Sequence, residues 1–483
     1  MPKTSTYFGI LKSWIVPNNT YIFILLLLFV LAGYICFYRL GAARLVDWDE
    51  AWYADMTRAM LETKQFVVLQ WNGEFLFDKP PLYIWSSAIF SSLFGLSEYS
   101  VRLTSAIAGF FTILLAVWYV YIKWGVIPSL LTFSTLALNN IFIWRVRSGN
   151  LDALAAFLIF LVFLIARSKW KHRYPVLGFL FGLIFLAKAS LVGFPLLVFG
   201  IYELIYNFKN IYKNIFEYIK LVFLFAIVVG PWLLLGERIA GPGFVNYYVY
   251  NSDQGVASVG REHFNTDYFW HTYFSLQRRF FFVFVFGILA LVATMRKGSH
   301  FLIVAFSLFL LTLLSFTQRN NNWYLVPSIP FWSIAVGFGT FTFINLFKKK
   351  LFQVPAITLV VLLTLYVSQK TFKENITPII YTTASDKQAE SALLANKLTQ
   401  PDEIVVRLDG LYPTAIYYTD RKVLSSPAEV GGYGDLLIGR TELAEQIQKD
   451  QIRVVIGKKT DVESFVEKYK LNGTLHPAND EEV

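Results

Sequence analysis

The sequence predicts an all-α polytopic membrane protein of about eleven spans, with interfacial helices in its first outer loop and a small α/β soluble domain at its C-terminal end. Three observations carry this. Of 483 residues, 55% are hydrophobic and only 16% charged, above the roughly 45–50% apolar share of a typical soluble domain. Apolar runs long enough to cross a hydrocarbon core of roughly 30 Å recur between residues 21 and 370. From about residue 385 the composition turns soluble.

Twelve apolar runs centre on 21–40, 80–95, 101–122, 125–143, 152–167, 174–187, 190–206, 217–236, 280–295, 300–316, 323–345 and 352–370. If all twelve cross, with the N-terminus inside, the basic loops at 167–173, 207–214 and 346–350 fall outside, against the positive-inside rule. The run at 80–95 is the one to remove. It is short, begins with Pro80-Pro81 and contains four serines, as interfacial or re-entrant segments do. Eleven spans then place all three basic loops inside, joined by 296–300. Residues 41–100 become one outer loop. The other outer segments are 145–152, 237–279, 317–322 and the C-terminus.

The run at 21–38 is long and lacks a small-residue cleavage site, so it reads as an uncleaved first span. Net charge is +10, but the basic residues lie in short loops and not in one patch, which argues against nucleic-acid binding. A single cysteine, Cys36, leaves no intrachain disulfide and no Cys-based zinc site. The chain therefore divides into a membrane domain, 1–384, and an extracytoplasmic α/β domain, 385–483. In the latter, 403–408 and 452–457 read as strands, and 441–450 and 461–470 as helices. It shows no catalytic constellation, and scaffolding or acceptor docking is the role it suggests.

Residues with chemistry concentrate in the outer segments. The stretch "VDWDEAWYADM" carries Asp47, Asp49 and Glu50 just past the first span. Residues 49–63 fit an amphipathic helix on the membrane surface. Trp52, Met56, Ala59, Met60 and Thr63 share one face, and Glu50, Asp55, Arg58 and Glu62 surround the rest. Asp47 or Asp49 could simply cap it, worth about 1 kcal/mol. Tyr53 on the same helix is a candidate substrate contact. Further on, Asp78-Lys79-Pro80-Pro81 ends an extended segment, because a residue before proline avoids the helical region. Lys79 sits at that stiff corner, either snorkelling to headgroups or serving as a cation for a lipid phosphate. Asp152 opens a span behind Arg145 and Arg147. It reads as an N-cap, an ion-pair partner or a second functional carboxylate. Arg261 and His263 lie in the long outer loop, where a solvated histidine is the commoner outcome. Tyr324, in "NNWYLVPSIPFW", is a belt aromatic or a hydroxyl aimed at a phosphate. Charges grouped at the membrane edge suit chemistry on a lipid headgroup. A non-enzymatic lipid or polysaccharide transporter or flippase, the alternative, would more often bury them near the midplane.

In combination, "DWDEAWYADMTRAML", "NGEFLFDKPPLYIW" and "VRLTSAIAG" closely resemble the first outer loop of lipid-dependent glycosyltransferases of the GT-C superfamily. The resemblance is to the bacterial 4-amino-4-deoxy-L-arabinose lipid A transferases and the protein O-mannosyltransferases. It continues through "RSGNLDALAAF", "GLIFLAKASL", "GPWLLL" and "NNWYLVPSIPFW". It implies inverting transfer of a sugar from a polyprenyl phosphate to an extracytoplasmic acceptor in a bacterial inner membrane. That acceptor is lipid A, another glycolipid, a glycan or a protein. By motif, Asp49 takes the place of the catalytic aspartate, with Glu50 beside it, and Asp152 is the second acidic position. Lys79 and Tyr324 match residues that face the donor phosphate, Arg58 or Arg261 adds a cation, and His263 matches a family histidine before "YFW". Asp78 stands where the family has a glutamate that can share a divalent metal, the one cofactor the resemblance suggests. Asn251 occupies the place of the histidine that would share it, and Lys188-Ala189 replaces a Lys-Gly pair. The implied partners are the lipid-linked donor, the acceptor and membrane lipids, with no nucleic acid.

Overall fold

The computed structural model describes residues 18–46, 48–251, 265–267, 269–270, 279–317, 321–382, 387–426, 438, 440–449, 452–478 and 482. The chain opens with α1 (Asn18–Phe37), α2 (Asp49–Thr63), a hairpin of β1 (Leu69–Trp71) and β2 (Glu74–Leu76), and α3 (Leu82–Phe94). Helices α4 (Glu98–Trp124), α5 (Val126–Ala137), α6 (Asn140–Arg147), α7 (Leu151–Ala166) and α8 (Arg173–Ala187) follow. A 3-10 turn at Ala189–Val192 leads into α9 (Gly193–Tyr206), and then come α10 (Ile215–Ala240), α11 (Phe281–Ala293) and α12 (Gly298–Leu314). A second 3-10 segment, Asn322–Ser328, precedes α13 (Ile329–Leu346) and α14 (Lys350–Thr371). The remainder alternates: α15 (Lys387–Leu398), β3 (Val405–Arg407), α16 (Pro413–Thr419), β4 (Val423–Ser425), α17 (Arg440–Gln448), β5 (Val454–Ile456) and α18 (Lys459–Tyr469).

All eleven apolar runs assigned to spans are helical. Among the described residues five segments are long and apolar enough to cross a membrane, and α5 with α6 makes a sixth, bent by 63°. The remaining apolar helical stretches have 10–17 residues, among them Ile22–Phe37 within α1 and, over the run set aside in the sequence, α3. This is an integral membrane protein.

The chain forms two compact units. The first comprises Met1–Arg39, Ser105–Arg147 and Leu151–Tyr381. Its helices approach closely where side chains vanish. A Cβ on Gly178 of α8 would stand 2.0 Å from the Leu221 carbonyl oxygen of α10, and one on Gly287 of α11 would stand 2.0 Å from that of Ala335 on α13. Such contacts replace the hydrophobic drive that is missing between helices in lipid. An aromatic core fills the interior, with Phe306 stacked on Phe331 at 4.7 Å and Phe163 edge-on to Phe331 at 5.3 Å. The fully buried Trp332 donates its indole N–H to the Ser307 carbonyl at 2.6 Å.

The second unit comprises Leu40–Thr104, Ser148–Asn150 and Thr382–Val483. Helix α2 occupies 49–63, the span expected, and protein covers the side that the sequence reads as polar. Helix α3, β1 and α16 pack around it, and Glu50 and Asp55 are only 4% and 3% exposed. The sequence places both on a polar rim; they are buried because arginines within the unit neutralise them. Leu45, Ala51 and Ala54 share a core with Val101, Ala389, Ala392, Ala415 and Tyr418. The C-terminal strands form a parallel sheet in the order β4-β3-β5. Asn72 and Gly73, with φ of 53° and 84°, make the two-residue hairpin turn between β1 and β2. The Asn72 amide then bonds edge strand β4 twice, donating to the Val423 carbonyl at 2.8 Å and accepting from its N–H at 2.9 Å.

Candidate functional site

In the second unit, Asp49 is the first residue of α2 and half-buried. Trp48 holds the cap position without a side-chain cap bond, so Asp49 is not the N-cap. The helix N-terminus favours its carboxylate charge. Asp47 lies outside the described residues. Glu50 is a different case. Its carboxylate accepts from Arg102 Nε at 2.6 Å, Arg102 Nη2 at 2.8 Å, Gly149 N–H at 2.7 Å and Val46 N–H at 2.9 Å. Arg102 also donates to the carbonyls of Leu40, Ala43 and Arg44. These bonds occupy all five guanidinium N–H groups. The buried pair thus pins 40–46 to the start of α2.

Arg58 is committed in the same way. It pairs with Asp55, lies 2.6 Å from Asp420 and donates to the Tyr417 carbonyl at 2.8 Å. Burial opposes its charge, and Asp55 and Asp420 more than offset this, so its pKa is raised. Burial, with Glu98 adding to it, pushes the Tyr417 hydroxyl up to about 12. Tyr53, at 2% exposure, packs between the rings of Trp52 and Tyr83. Lys79 forms a 2.6 Å ion pair with Asp78, and its ammonium stands 5.5 Å from the Trp52 ring centre. The hairpin corner is thereby brought against the first turn of α2, three residues from Asp49.

In the first unit, Asp152 at the start of α7 is 3% exposed. Its Oδ2 accepts from Arg145 Nε and Nη2 at 2.8 and 2.6 Å, and its Oδ1 from Lys188 Nζ at 3.0 Å. Arg147 donates instead to the carbonyls of Ile35 and Tyr38. The Lys188 ammonium stands 4.7 Å from the Tyr324 ring centre, and the Arg145 guanidinium lies over Trp144 and Trp323 at 5.1 and 5.7 Å. Asp152, Tyr324 and Arg145 are therefore brought together by Lys188, a residue to which sequence reasoning gave no role. Arg102 was missed as well. Both are charges within or beside apolar runs, where an ionisable group is costly and so carries a purpose.

Arg261, His263 and the Asn251 side chain lie outside the described residues. Among the described residues no group of three or more His, Cys, Asp and Glu side chains is placed to hold a metal. Asp78, the metal candidate, faces the Lys79 ammonium, a poor setting for a divalent cation.

A family model described as dolichyl-phosphate-mannose-protein mannosyltransferase matches residues 78–234. An uncharacterised protein of Aquifex aeolicus is 26% identical over 355 residues, 71% of this chain and 68% of its own length. An undecaprenyl phosphate-alpha-4-amino-4-deoxy-L-arabinose arabinosyl transferase of Proteus mirabilis is 28% identical over 341 residues, 67% of this chain. The matched region spans 60% of that enzyme's length. Among solved structures, ArnT from Cupriavidus metallidurans bound to undecaprenyl phosphate superposes with a TM-score of 0.76 at 14% identity, covering 96% of this chain and 98% of its own. The oligosaccharyltransferase AglB of Archaeoglobus fulgidus, in complex with an inhibitory peptide and a dolichol-phosphate, gives 0.59 at 12% identity, covering 91% of this chain and 69% of its own. At these identities the structural likeness speaks for the fold. The chain has the GT-C fold and resembles the arabinosyl transferases and protein mannosyltransferases, as its motifs imply.

Proposed function

We propose that this chain is an inverting glycosyltransferase of a bacterial plasma membrane, moving a sugar from a polyprenyl-phosphate donor to an acceptor outside the cytoplasm. The observation that supports this most is a likeness to ArnT over 96% of the chain, joined to motif residues that stand in charged clusters at helix ends. An acceptor oxygen bonds to the anomeric carbon from the face opposite the leaving group. The bond from that carbon to the phosphate oxygen breaks, and its electron pair stays on the phosphate. Asp49 takes the acceptor proton, or orients the acceptor where this is itself a phosphate. Glu50, with four donors on its carboxylate, positions the loop. Lys79 neutralises charge developing on the leaving phosphate, and Tyr324 offers its hydroxyl to a phosphate oxygen. No step is routed through a metal.

The N-terminus is cytoplasmic, and the first loop and residues 385–483 are extracytoplasmic, an orientation supported by the basic loops at 167–173, 207–214 and 346–350. Lipid A, another glycolipid, a glycan and a protein are the acceptors to assay. Purified protein is given radiolabelled polyprenyl-phosphate sugars and each acceptor. Asp49→Asn is expected to lower turnover by about 100-fold or more, and Lys79→Ala to raise the donor KM. Undiminished turnover in Asp49→Asn would sink its assignment.

A further inference from the structure

We propose that Lys123, Arg167 and Lys297, at the ends of α4, α7 and α12, form a binding site for the headgroup phosphate of an anionic phospholipid. The site is independent of the transferase reading, and the proposed orientation enters only in making this face the cytoplasmic one.

Three segments remote in sequence each deliver one cation. Lys123 lies in the last turn of α4, Arg167 follows the last residue of α7, and Lys297 precedes the first residue of α12. Tyr119 gathers them. It is buried on α4, one turn before Lys123 and on the same helix face. The Arg167 guanidinium lies over its ring at 4.8 Å. The Ser299 hydroxyl, two residues past Lys297, stands beside its phenol. Trp124 packs edge-on to Tyr119 at 5.8 Å and to His300 at 6.3 Å, which holds the start of α12 against the end of α4. Arg167 and Lys297 accordingly both repel the Lys123 ammonium.

Among the described residues none of the three pairs with a carboxylate. Arg173, six residues past Arg167, shows how a structural cation is satisfied on this face. It meets Glu203 at 3.0 Å, and Glu203 also accepts from the Tyr174 and Tyr218 hydroxyls. The positive-inside rule accounts for basic residues in these loops, but it does not draw three of them from separate segments onto one tyrosine. Lys297 also holds the N-cap position of α12 without a side-chain cap bond, where the helix dipole disfavours a cation and favours an anion. A phosphate among the three offsets their mutual repulsion and complements that helix start.

The surface beside the cations identifies the source of the phosphate. Trp118 and Ile122, on the turns of α4 that lead to Lys123, are exposed on a helix long and apolar enough to span a membrane. Acyl chains cover such a face while the cations reach headgroup depth. Basic pockets between transmembrane helices take anionic headgroups in this way. A soluble phosphate would meet the cations and leave the apolar face uncovered.

Native mass spectrometry of the full-length protein, titrated with phosphatidylglycerol and with phosphatidylcholine, tests this. The test variant combines Lys123→Gln with Lys297→Gln. The control combines Lys348→Gln with Lys349→Gln, removing the same charge from another basic loop whose lysines do not act on Lys123. The test variant is expected to bind phosphatidylglycerol at least tenfold more weakly. The control should stay within about twofold of wild type, phosphatidylcholine binding should be unchanged in both, and excess inorganic phosphate should leave the lipid bound. Equal weakening in both variants would reduce the site to the diffuse charge of the face and overturn it. So would undiminished phosphatidylglycerol binding in a test variant that melts as wild type does. Displacement of the lipid by inorganic phosphate would assign the cations to a soluble anion and overturn the lipid.

Discussion

Asp49 and Glu50 are adjacent carboxylates on one helix, set in different surroundings. Asp49 is half-buried at a helix start, and Glu50 is locked to Arg102 inside the unit. Removing one partner of such a buried pair typically costs about 3–5 kcal/mol. Arg102→Ala and Glu50→Gln are therefore expected to lower the thermal midpoint of the purified protein steeply. Asp49→Asn should shift that midpoint far less, by about 0.5 kcal/mol, while lowering turnover by about 100-fold or more. A melt followed by tryptophan fluorescence, run beside the transfer assay, separates the two. The sequence singled out Asp49, Lys79, Asp152 and Tyr324 through motifs that resemble those of a known family. It could not reveal the Glu50–Arg102 bond, whose members are 52 residues apart with no shared period. Nor did it reveal Lys188 beside Asp152, since only the fold sets that distance.

At the level of elements, α2 was readable to the residue, because its start, its apolar spacing and its end at Lys64 are local. Its burial was not readable, because α15 and α16, which complete its core, lie more than 300 residues further on. Strand β4 was missed for a related reason: three residues between charged and polar neighbours carry no alternation. Asn72 closes the edge of that strand. Asn72→Ala removes both bonds and leaves the buried Val423 N–H and carbonyl unsatisfied, at about 1–3 kcal/mol. Faster hydrogen exchange at the Val423 amide is the expected signature. Among the spans, Gly287→Leu would drive a side chain into the Ala335 carbonyl, and the yield of folded protein in detergent should fall sharply.

For the molecule as a whole, the charge pattern of the loops sorts apolar runs into spans and a non-spanning segment, and α3 falls in the second unit with α2. This allows a direct topological test. Cys36 is the only cysteine, and it is buried. Replacing it by alanine and placing Ser92→Cys at the exposed end of α3 gives one reportable thiol. A membrane-impermeant maleimide is expected to label it from outside intact cells. Labelling only from the cytoplasmic side would reverse the proposed orientation. What charge counting could not supply is that residues 382–483 share one compact unit with 40–104. A change of composition marks where a soluble stretch begins, and is silent on what it packs against.

Asn72 bonds Val423 across 351 residues of chain. Synthesis runs from the N-terminus at about 5–20 residues per second, so the helix that carries Asp49 leaves the ribosome tens of seconds before the strand and helices that enclose it. Throughout that interval Leu45, Ala51 and Ala54 lack Ala389, Ala392, Ala415 and Tyr418, and Arg58 has neither Asp420 nor the Tyr417 carbonyl. A nascent or prematurely terminated polypeptide thus displays Asp49 on a helix whose frame is still missing. The helix that carries Asp49 is among the first of its unit to be made and among the last to be enclosed.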